Sequence, residues 1–201
     1  MNNQPAKRNM ETIVLKRKYL GGMNDEEFFS FCQEYENLKI ERDSQGNIFL
    51  MAPTGMDTGK MNFSVGGELY IWNKRTKAGE AFDSNTGFTL PNGAVRSPDA
   101  AWLGWERYNR LSKEEKEVFA PVCPDFVIEL RSKSDRLKAI REKMKEWMAN
   151  GCRLAWLIDP VERKAYVYRP GSEPETVAFF DGLLSGEEVL PGFELDLKIL
   201  S

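Results

Sequence analysis

The chain has 201 residues, of which 41% are hydrophobic and 29% charged, a composition typical of one globular domain. Its net charge of −3 does not by itself indicate a nucleic-acid partner, and the lack of histidine excludes Ser-His-Asp triads, Cys-His triads and histidine-ligated zinc. A metal would therefore be held by oxygen ligands, which favours Mg²⁺, Mn²⁺ or Ca²⁺.

The cysteines and the hydropathy pattern bear on the compartment. Cys32, Cys123 and Cys152 are far apart and form no CxxC pair, so we expect free thiols in a reducing cytoplasm. No apolar run approaches the roughly 20 residues of a membrane span. Residues 1–9 form a polar tail without the apolar segment of a signal peptide. We expect a cytoplasmic protein without a membrane partner.

The first predicted elements are a short helix and a hairpin. The helix covers residues 24–34 and is capped by Asn24 or Asp25. Residues 38–42 and 47–51 have strand character and flank a Gly-containing turn, which predicts a β-hairpin.

A longer helix and several short strands follow. Apolar residues recur at helical spacing over about residues 57–77, so a helix packs on the core there. Short β segments are predicted at 81–83, 87–90 and 100–103. A capping box beginning at Ser112 predicts a small surface helix.

The next part of the chain contains the second main helix. Residues 126–130 read as a buried strand. A helix capped by Ser134 or Asp135 runs to about Asn150, with Gly151 as its stop.

A second hairpin closes the predicted sheet. Residues 154–158 and 164–168 form its strands, and residues 171–201 read as short edge strands punctuated by Gly and Pro. The fold class expected from these elements is mixed α/β (α+β): a mixed sheet flanked by helices, with additional hairpins.

Two carboxylates have settings that suit a hydrolytic metal site. Asp99 follows Ser97-Pro98 at a strand entrance, and Glu129 lies in the apolar strand 126–130. Carboxylates on neighbouring strands can share one cation, whereas Asp125 lies about 13 Å along the strand from Glu129. A carboxylate in such a strand is costly unless a cation or donor partners it. The alternative is that Glu129 forms an ion pair with Arg131 or Lys143 and has only a structural role.

Basic residues follow the strand. Arg131, two residues past Glu129, is expected on the same face of the sheet. On the next helix, Arg136, Arg141 and Lys143 lie on related faces and could attract a phosphate backbone. A solvated helix face with i,i+4 pairs is the alternative for most of them. Trp147 belongs to the core stripe of that helix.

A resemblance to a known family is carried by weak fragments in a specific order and spacing. They are Asn24-Asp25-Glu26-Glu27-Phe28, Ile40-Glu41, Met51-Ala52-Pro53-Thr54-Gly55, Gly87-Phe88, Val95-Arg96-Ser97-Pro98-Asp99, Pro124-Asp125-Phe126-Val127-Ile128-Glu129, Ser132-Lys133-Ser134-Asp135-Arg136, Glu142-Lys143 and Ala155-Trp156-Leu157-Ile158-Asp159-Pro160. The sequence resembles the PD-(D/E)XK nuclease superfamily and, more closely, the Uma-type family of restriction-endonuclease-like proteins. The resemblance covers about residues 23–170, which leaves 1–22 as an N-terminal extension and 171–201 as C-terminal edge strands of a single restriction-endonuclease-like domain.

The resemblance implies roles for particular residues. Asp99 matches the motif aspartate and Glu129 the acidic member of E-x-K, while Arg131 stands where the superfamily has lysine. Lys143 matches a lysine on the following helix, and Glu41 an acidic position on the first hairpin that would complete the site. Thr58 stands where the family often has histidine, so a role tied to that histidine is absent.

The activity implied is metal-dependent cleavage of DNA. Asp99 and Glu129, aided by Glu41, would bind Mg²⁺ or Mn²⁺, and Arg136 and Arg141 would contact DNA. A homodimer would supply the two active sites that duplex cutting needs. Arginine cannot readily lose a proton to activate water, so Lys143 would have to supply the amine that Arg131 does not.

Two other functions remain open at this point. The chain could be a catalytically inactive nuclease fold that binds nucleic acid or protein after losing its lysine. It could also be a metal-dependent hydrolase of small phosphate substrates. Absence of cleavage with every divalent ion would indicate the inactive binding protein. A basic surface confined to the pocket would indicate the hydrolase of small phosphate substrates.

Overall fold

The computed structural model describes residues 12–133, 135–178 and 182–200. The predicted tail 1–9 and the predicted cap Ser134 lie outside these residues. The helices are α1 (Arg17–Leu20), α2 (Asp25–Glu34), α3 (Met56–Thr76), α4 (Trp105–Tyr108), α5 (Lys113–Lys116), α6 (Leu137–Ala149) and a final 3-10 turn (Leu197–Leu200). The strands are β1 (Ile13–Leu15), β2 (Lys39–Arg42), β3 (Ile48–Met51), β4 (Gly79–Phe82), β5 (Phe88–Thr89), β6 (Val95–Arg96), β7 (Ala100–Gly104), β8 (Phe126–Leu130), β9 (Leu154–Asp159), β10 (Lys164–Tyr168), β11 (Glu175–Val177), β12 (Leu183–Ser185) and β13 (Glu194–Asp196).

The described strands form three sheets. A five-stranded sheet has the order β1-β3-β2-β6-β5, and a six-stranded sheet has the order β11-β10-β9-β8-β7-β4. Strands β12 and β13 pair separately. Strands β8 and β9 run parallel and are joined through α6, a connection that requires a crossover element. The predicted mixed α/β architecture with additional hairpins is confirmed.

The helix ends follow local capping chemistry. The Asn24 side chain accepts from the backbone N–H of Glu27, whose carboxylate accepts from the backbone N–H of Asn24, and this capping box begins α2 as predicted. The prediction that Asp135 caps α6 is wrong. The helix begins after Arg136, and the Asp135 carboxylate instead accepts from the backbone N–H of Ser132.

The six-stranded sheet is buried on both faces. One face packs against α3 and the C-terminal segment, where Trp72, Trp156 and Phe193 are in contact. The other face packs against Met144 and Trp147 of α6. Burial on both faces explains why β8 and β9 are nearly continuous apolar runs, in which Glu129 on β8 and Asp159 at the end of β9 are the exceptions.

The two ends of the chain differ from the prediction. Strand β1 pairs antiparallel with β3, so part of the predicted N-terminal extension is an edge strand of the smaller sheet. Of the predicted C-terminal edge strands, β11 lies at the edge of the larger sheet. Strands β12 and β13 instead form their own pair, with Leu184 and Leu195 buried in the core.

Within the described residues, no helix is long and apolar enough to cross a membrane.

Candidate active site

Asp99 is fixed against strand β8. It precedes β7, and its backbone N–H donates to the carbonyl of Ile128 at 3.0 Å. Its Oδ2 accepts from the backbone N–H of Leu130 at 2.7 Å. Ala100 pairs antiparallel with Ile128, so Asp99, immediately before β7, lies opposite Glu129 of β8 at the same level of the sheet.

Lys143 joins Glu129 to Glu41. Its ammonium nitrogen lies 2.7 Å from an oxygen of each carboxylate and 3.4 Å from the carbonyl oxygen of Ser97. Although burial disfavours the ammonium, the two carboxylates raise the pKa of Lys143 above its usual value. Lys143 is therefore a fixed positive charge at neutral pH.

Glu41 lies on the face of β2 opposite the Ile40 side chain. It is only 4% exposed; its Oε1 accepts from the backbone N–H of Ser97 at 3.0 Å and its Oε2 from Arg96 at 3.1 Å. Burial would raise the pKa of Glu41, but Lys143, Arg96 and Lys39 outweigh it and lower the pKa to about 2. Glu41 is therefore ionised.

The pKa of Glu129 is shifted upward, opposite to that of Glu41. Burial raises its pKa, and the negative charges of Asp99 and Glu41 add to this effect despite Lys143. The indole N–H of Trp147 donates to its Oε1 at 2.9 Å. Trp147 is fully buried, which confirms the prediction that it belongs to the core, but it also orients a site carboxylate.

Two residues beside Asp99 were not predicted from sequence. The Lys39 ammonium is 3.6 Å from Asp99 Oδ1, and the Asn62 amide nitrogen donates to the same oxygen at 3.1 Å. Lys39 is two residues from Glu41 on β2, so strand alternation could have placed it on the site face. Asn62 lies on α3, and nothing in its local sequence distinguishes it.

The family of the chain follows from comparison of its sequence with known families. A sequence model of the Uma2 family, described as "Putative restriction endonuclease", matches residues 25–198. The chain belongs to the Uma2 family. This confirms the resemblance identified from the sequence and indicates a nuclease-like function for the chain. No curated protein matches.

A solved structure shows the same fold as this Uma2 chain. It is described as a putative nuclease belonging to DUF820 from Anabaena variabilis, and it superposes with a TM-score of 0.67 at 21% sequence identity. The match covers 80% of this chain and 88% of that one. The chain therefore has the restriction-endonuclease-like fold that the sequence predicted.

Arg131 does not join the carboxylates as the sequence suggested. Strand β8 ends at Leu130, and the Arg131 guanidinium lies 2.7 Å from Asp159 and 3.6 Å from Glu162. Asp159 is fully buried at the end of β9 and needs a cationic partner. Arg131 lies beyond the end of β8 and pairs with Asp159, so the strand alternation that predicted its position beside Glu129 does not apply to it.

The two predicted DNA contacts have different environments. Arg136 is exposed immediately before α6, where it is accessible to a phosphate backbone. Arg141 is half-buried and lies over the ring of Tyr166, with its guanidinium carbon 4.7 Å from the ring centroid. Arg136 is the more accessible of the two.

The predicted three-carboxylate metal site is not assembled. Among the described residues, no three His, Cys, Asp or Glu side chains come together in a way that could hold a metal ion. Glu41 pairs with two cations, Arg96 at 3.1 Å and Lys143 at 2.7 Å, so it anchors Lys143 instead of completing the ligand set. Among the described residues, Asp99 and Glu129 each pair with one cation, Lys39 at 3.6 Å and Lys143 at 2.7 Å. Their carboxylate oxygens are ligands of the kind that Mg²⁺ and Mn²⁺ accept.

Proposed function

We propose that this Uma2-family chain is a metal-dependent endonuclease that hydrolyses DNA phosphodiester bonds. The observation that carries the proposal is the grouping of Asp99 and Glu129 at one level of the sheet, with the Lys143 ammonium 2.7 Å from Glu129. DNA is preferred over RNA by analogy with restriction endonucleases.

The carboxylates and the lysine would have different roles in the reaction. Asp99 and Glu129 would hold a Mg²⁺ or Mn²⁺ ion, which when bound supplies Lewis-acid polarisation of the scissile phosphate. Because Lys143 stays protonated, it would stabilise negative charge developing on the phosphate and would not accept a proton from water. Glu41 and Trp147 would hold Lys143 and Glu129 in place.

Nicking of supercoiled plasmid tests the proposal. The wild-type chain should nick DNA with Mg²⁺ or Mn²⁺ and lose this activity in EDTA. Asp99→Asn should abolish it, because the variant loses a charged oxygen donor. Undiminished nicking by Asp99→Asn would refute the assignment of Asp99.

The second Pro-Asp pair offers a matched control. Asp125 follows Pro124 as Asp99 follows Pro98, but its carboxylate accepts from the backbone N–H of Gly104 and pairs with Arg107 at 3.2 Å. Asp125→Asn should therefore lower stability and leave nicking by the folded protein unchanged.

One feature favours a second function, a nuclease fold that binds DNA without cutting it. Each site carboxylate already faces a cation: Glu41 and Glu129 face Lys143, and Asp99 faces Lys39. A cluster neutralised in this way is stable without a metal. This function predicts retention of DNA in a mobility-shift assay together with no nicking under any divalent ion.

A further inference from the structure

A buried oxygen beside Asp99 has no hydrogen-bond partner within residues 12–133, 135–178 and 182–200. The Asn62 amide nitrogen donates to Asp99 Oδ1 at 3.1 Å, whereas the Asn62 amide oxygen is buried and accepts no hydrogen bond from these residues. Buried polar atoms in folded proteins are nearly always hydrogen-bonded, and an exception often marks the place of a water, an ion or a functional group.

A second asparagine on the same helix shows that α3 can satisfy a buried amide. The Asn73 nitrogen donates to the carbonyl of Gly79 at 2.9 Å, and its oxygen accepts from the indole N–H of Trp102 at 2.9 Å. Asn73 therefore has a complete structural role within the protein. In Asn62 only the amide nitrogen is hydrogen-bonded, and its amide oxygen lies next to Asp99, a candidate metal ligand.

The orientation of the Asn62 amide is determined by Asp99. Rotating the amide by half a turn would set its oxygen against the Asp99 carboxylate, because both groups would then be acceptors. The nitrogen must therefore face Asp99, and the oxygen is held free beside it. Amide oxygens are common ligands of hard divalent ions, and they carry no charge of their own that must be neutralised.

We infer that the Asn62 amide oxygen is a third protein ligand of the divalent ion, together with Asp99 and Glu129. The inference rests on the proposed function, because it requires an ion between those two carboxylates. It also accounts for a two-carboxylate site, since Asn62 would supply the oxygen that Glu41 does not.

Calorimetric titration of Mn²⁺ into the full chain tests the inference, with thermal melting in EDTA measured alongside. Asn62→Leu should weaken Mn²⁺ binding by more than about 100-fold, because loss of a group that only orients a ligand costs about 10- to 100-fold. The same variant should melt in EDTA close to the wild type, because removal of an unpaired buried acceptor offsets the loss of the hydrogen bond that the Asn62 amide nitrogen donates to Asp99. Asn62→Asp should keep binding and show a larger rise in melting temperature on Mn²⁺ addition than the wild type.

Asn73→Asp is the matched control on the same helix. It should lower the melting temperature, because it loses the donor to Gly79, and leave the Kd for Mn²⁺ unchanged. Equal Kd values for the wild type and Asn62→Leu would overturn the inference and leave the proposed function standing, as would equal weakening by Asn62→Leu and Asn73→Asp. A wild-type chain that binds no Mn²⁺ would overturn both.

Discussion

Lys143 is the residue on which the charge balance of the site depends. It is shared by two buried carboxylates, and removing one partner of a buried ion pair leaves an uncompensated charge. Lys143→Met should therefore lower the free energy of unfolding by about 3 kcal/mol or more, measured by urea denaturation at pH 7.

Lys145 provides the control for that substitution. It lies on the same helix, is 66% exposed and pairs with the exposed Glu142. Lys145→Met should change the free energy of unfolding by less than about 1 kcal/mol. Equal effects of the two substitutions would show that the buried pairing of Lys143 contributes nothing.

Glu41 makes stability depend on pH in a defined window. Its pKa is lowered from 4.5 to about 2 in the folded chain. A lowered folded pKa means that the carboxylate contributes stability above the unfolded pKa, and this contribution is lost as the pH falls from 4.5 toward 2. The difference in free energy of unfolding between the wild type and Glu41→Gln should shrink across this window. A constant difference would contradict the assigned charge environment.

The residues of the site differ in how far sequence could identify them. Asp99 and Glu129 could be placed because each sits in a local motif whose strand context is readable. Lys39 shares a face of β2 with Glu41, so strand alternation indicates its side of the sheet but not its partner Asp99. Asn62 reaches Asp99 from α3, and its local sequence carries no signal for that contact. The predicted position of Arg131 beside Glu129 is wrong because its ion-pair partner, Asp159, lies on another strand.

At the scale of elements, Arg131 joins the ends of β8 and β9. It is the cation for the fully buried Asp159 and lies outside the carboxylate cluster. Arg131→Met should lower the free energy of unfolding by about 3 kcal/mol, because it leaves Asp159 unpaired. Nicking per folded molecule should stay at the wild-type level. A large loss of nicking with unchanged stability would instead indicate that Arg131 has a catalytic role.

The elements with strong local signals were the ones predicted correctly. The capping box of α2, the periodicity of α3 and the apolar run of β8 are each decided within a few neighbouring residues. The pairing of β12 with β13 was not predicted. Each has three residues, and their place on the core depends on Phe193 and Trp156 meeting from distant parts of the chain.

The candidate site lies where the two large sheets meet. Glu41 and Lys39 come from the five-stranded sheet, Glu129 comes from the six-stranded sheet, and Asp99 lies in the segment that links them. Lys143 on α6 bridges the two sheets through its two carboxylates. Assembly of the site therefore requires both sheets to be folded and docked.

Because the net charge is −3, the proposed DNA binding would have to depend on local basic residues. Arg136 is exposed at the start of α6, so Arg136→Ala should weaken binding of duplex DNA and reduce the slope of log affinity against log salt by about 1. Fluorescence anisotropy in EDTA measures both. As a control, Lys113→Ala removes an exposed charge on α5 and should leave the slope unchanged. Identical slopes for the wild type, Arg136→Ala and Lys113→Ala would exclude Arg136 from the DNA-binding surface.

Calorimetric titration of Mn²⁺ into the wild type and Glu129→Gln decides whether Asp99 and Glu129 hold one divalent ion between them. We predict one Mn²⁺ site per wild-type chain and loss of that site in a folded Glu129→Gln variant. Equal Mn²⁺ binding by the two proteins, or no binding by the wild type, would rule out an ion shared by Asp99 and Glu129.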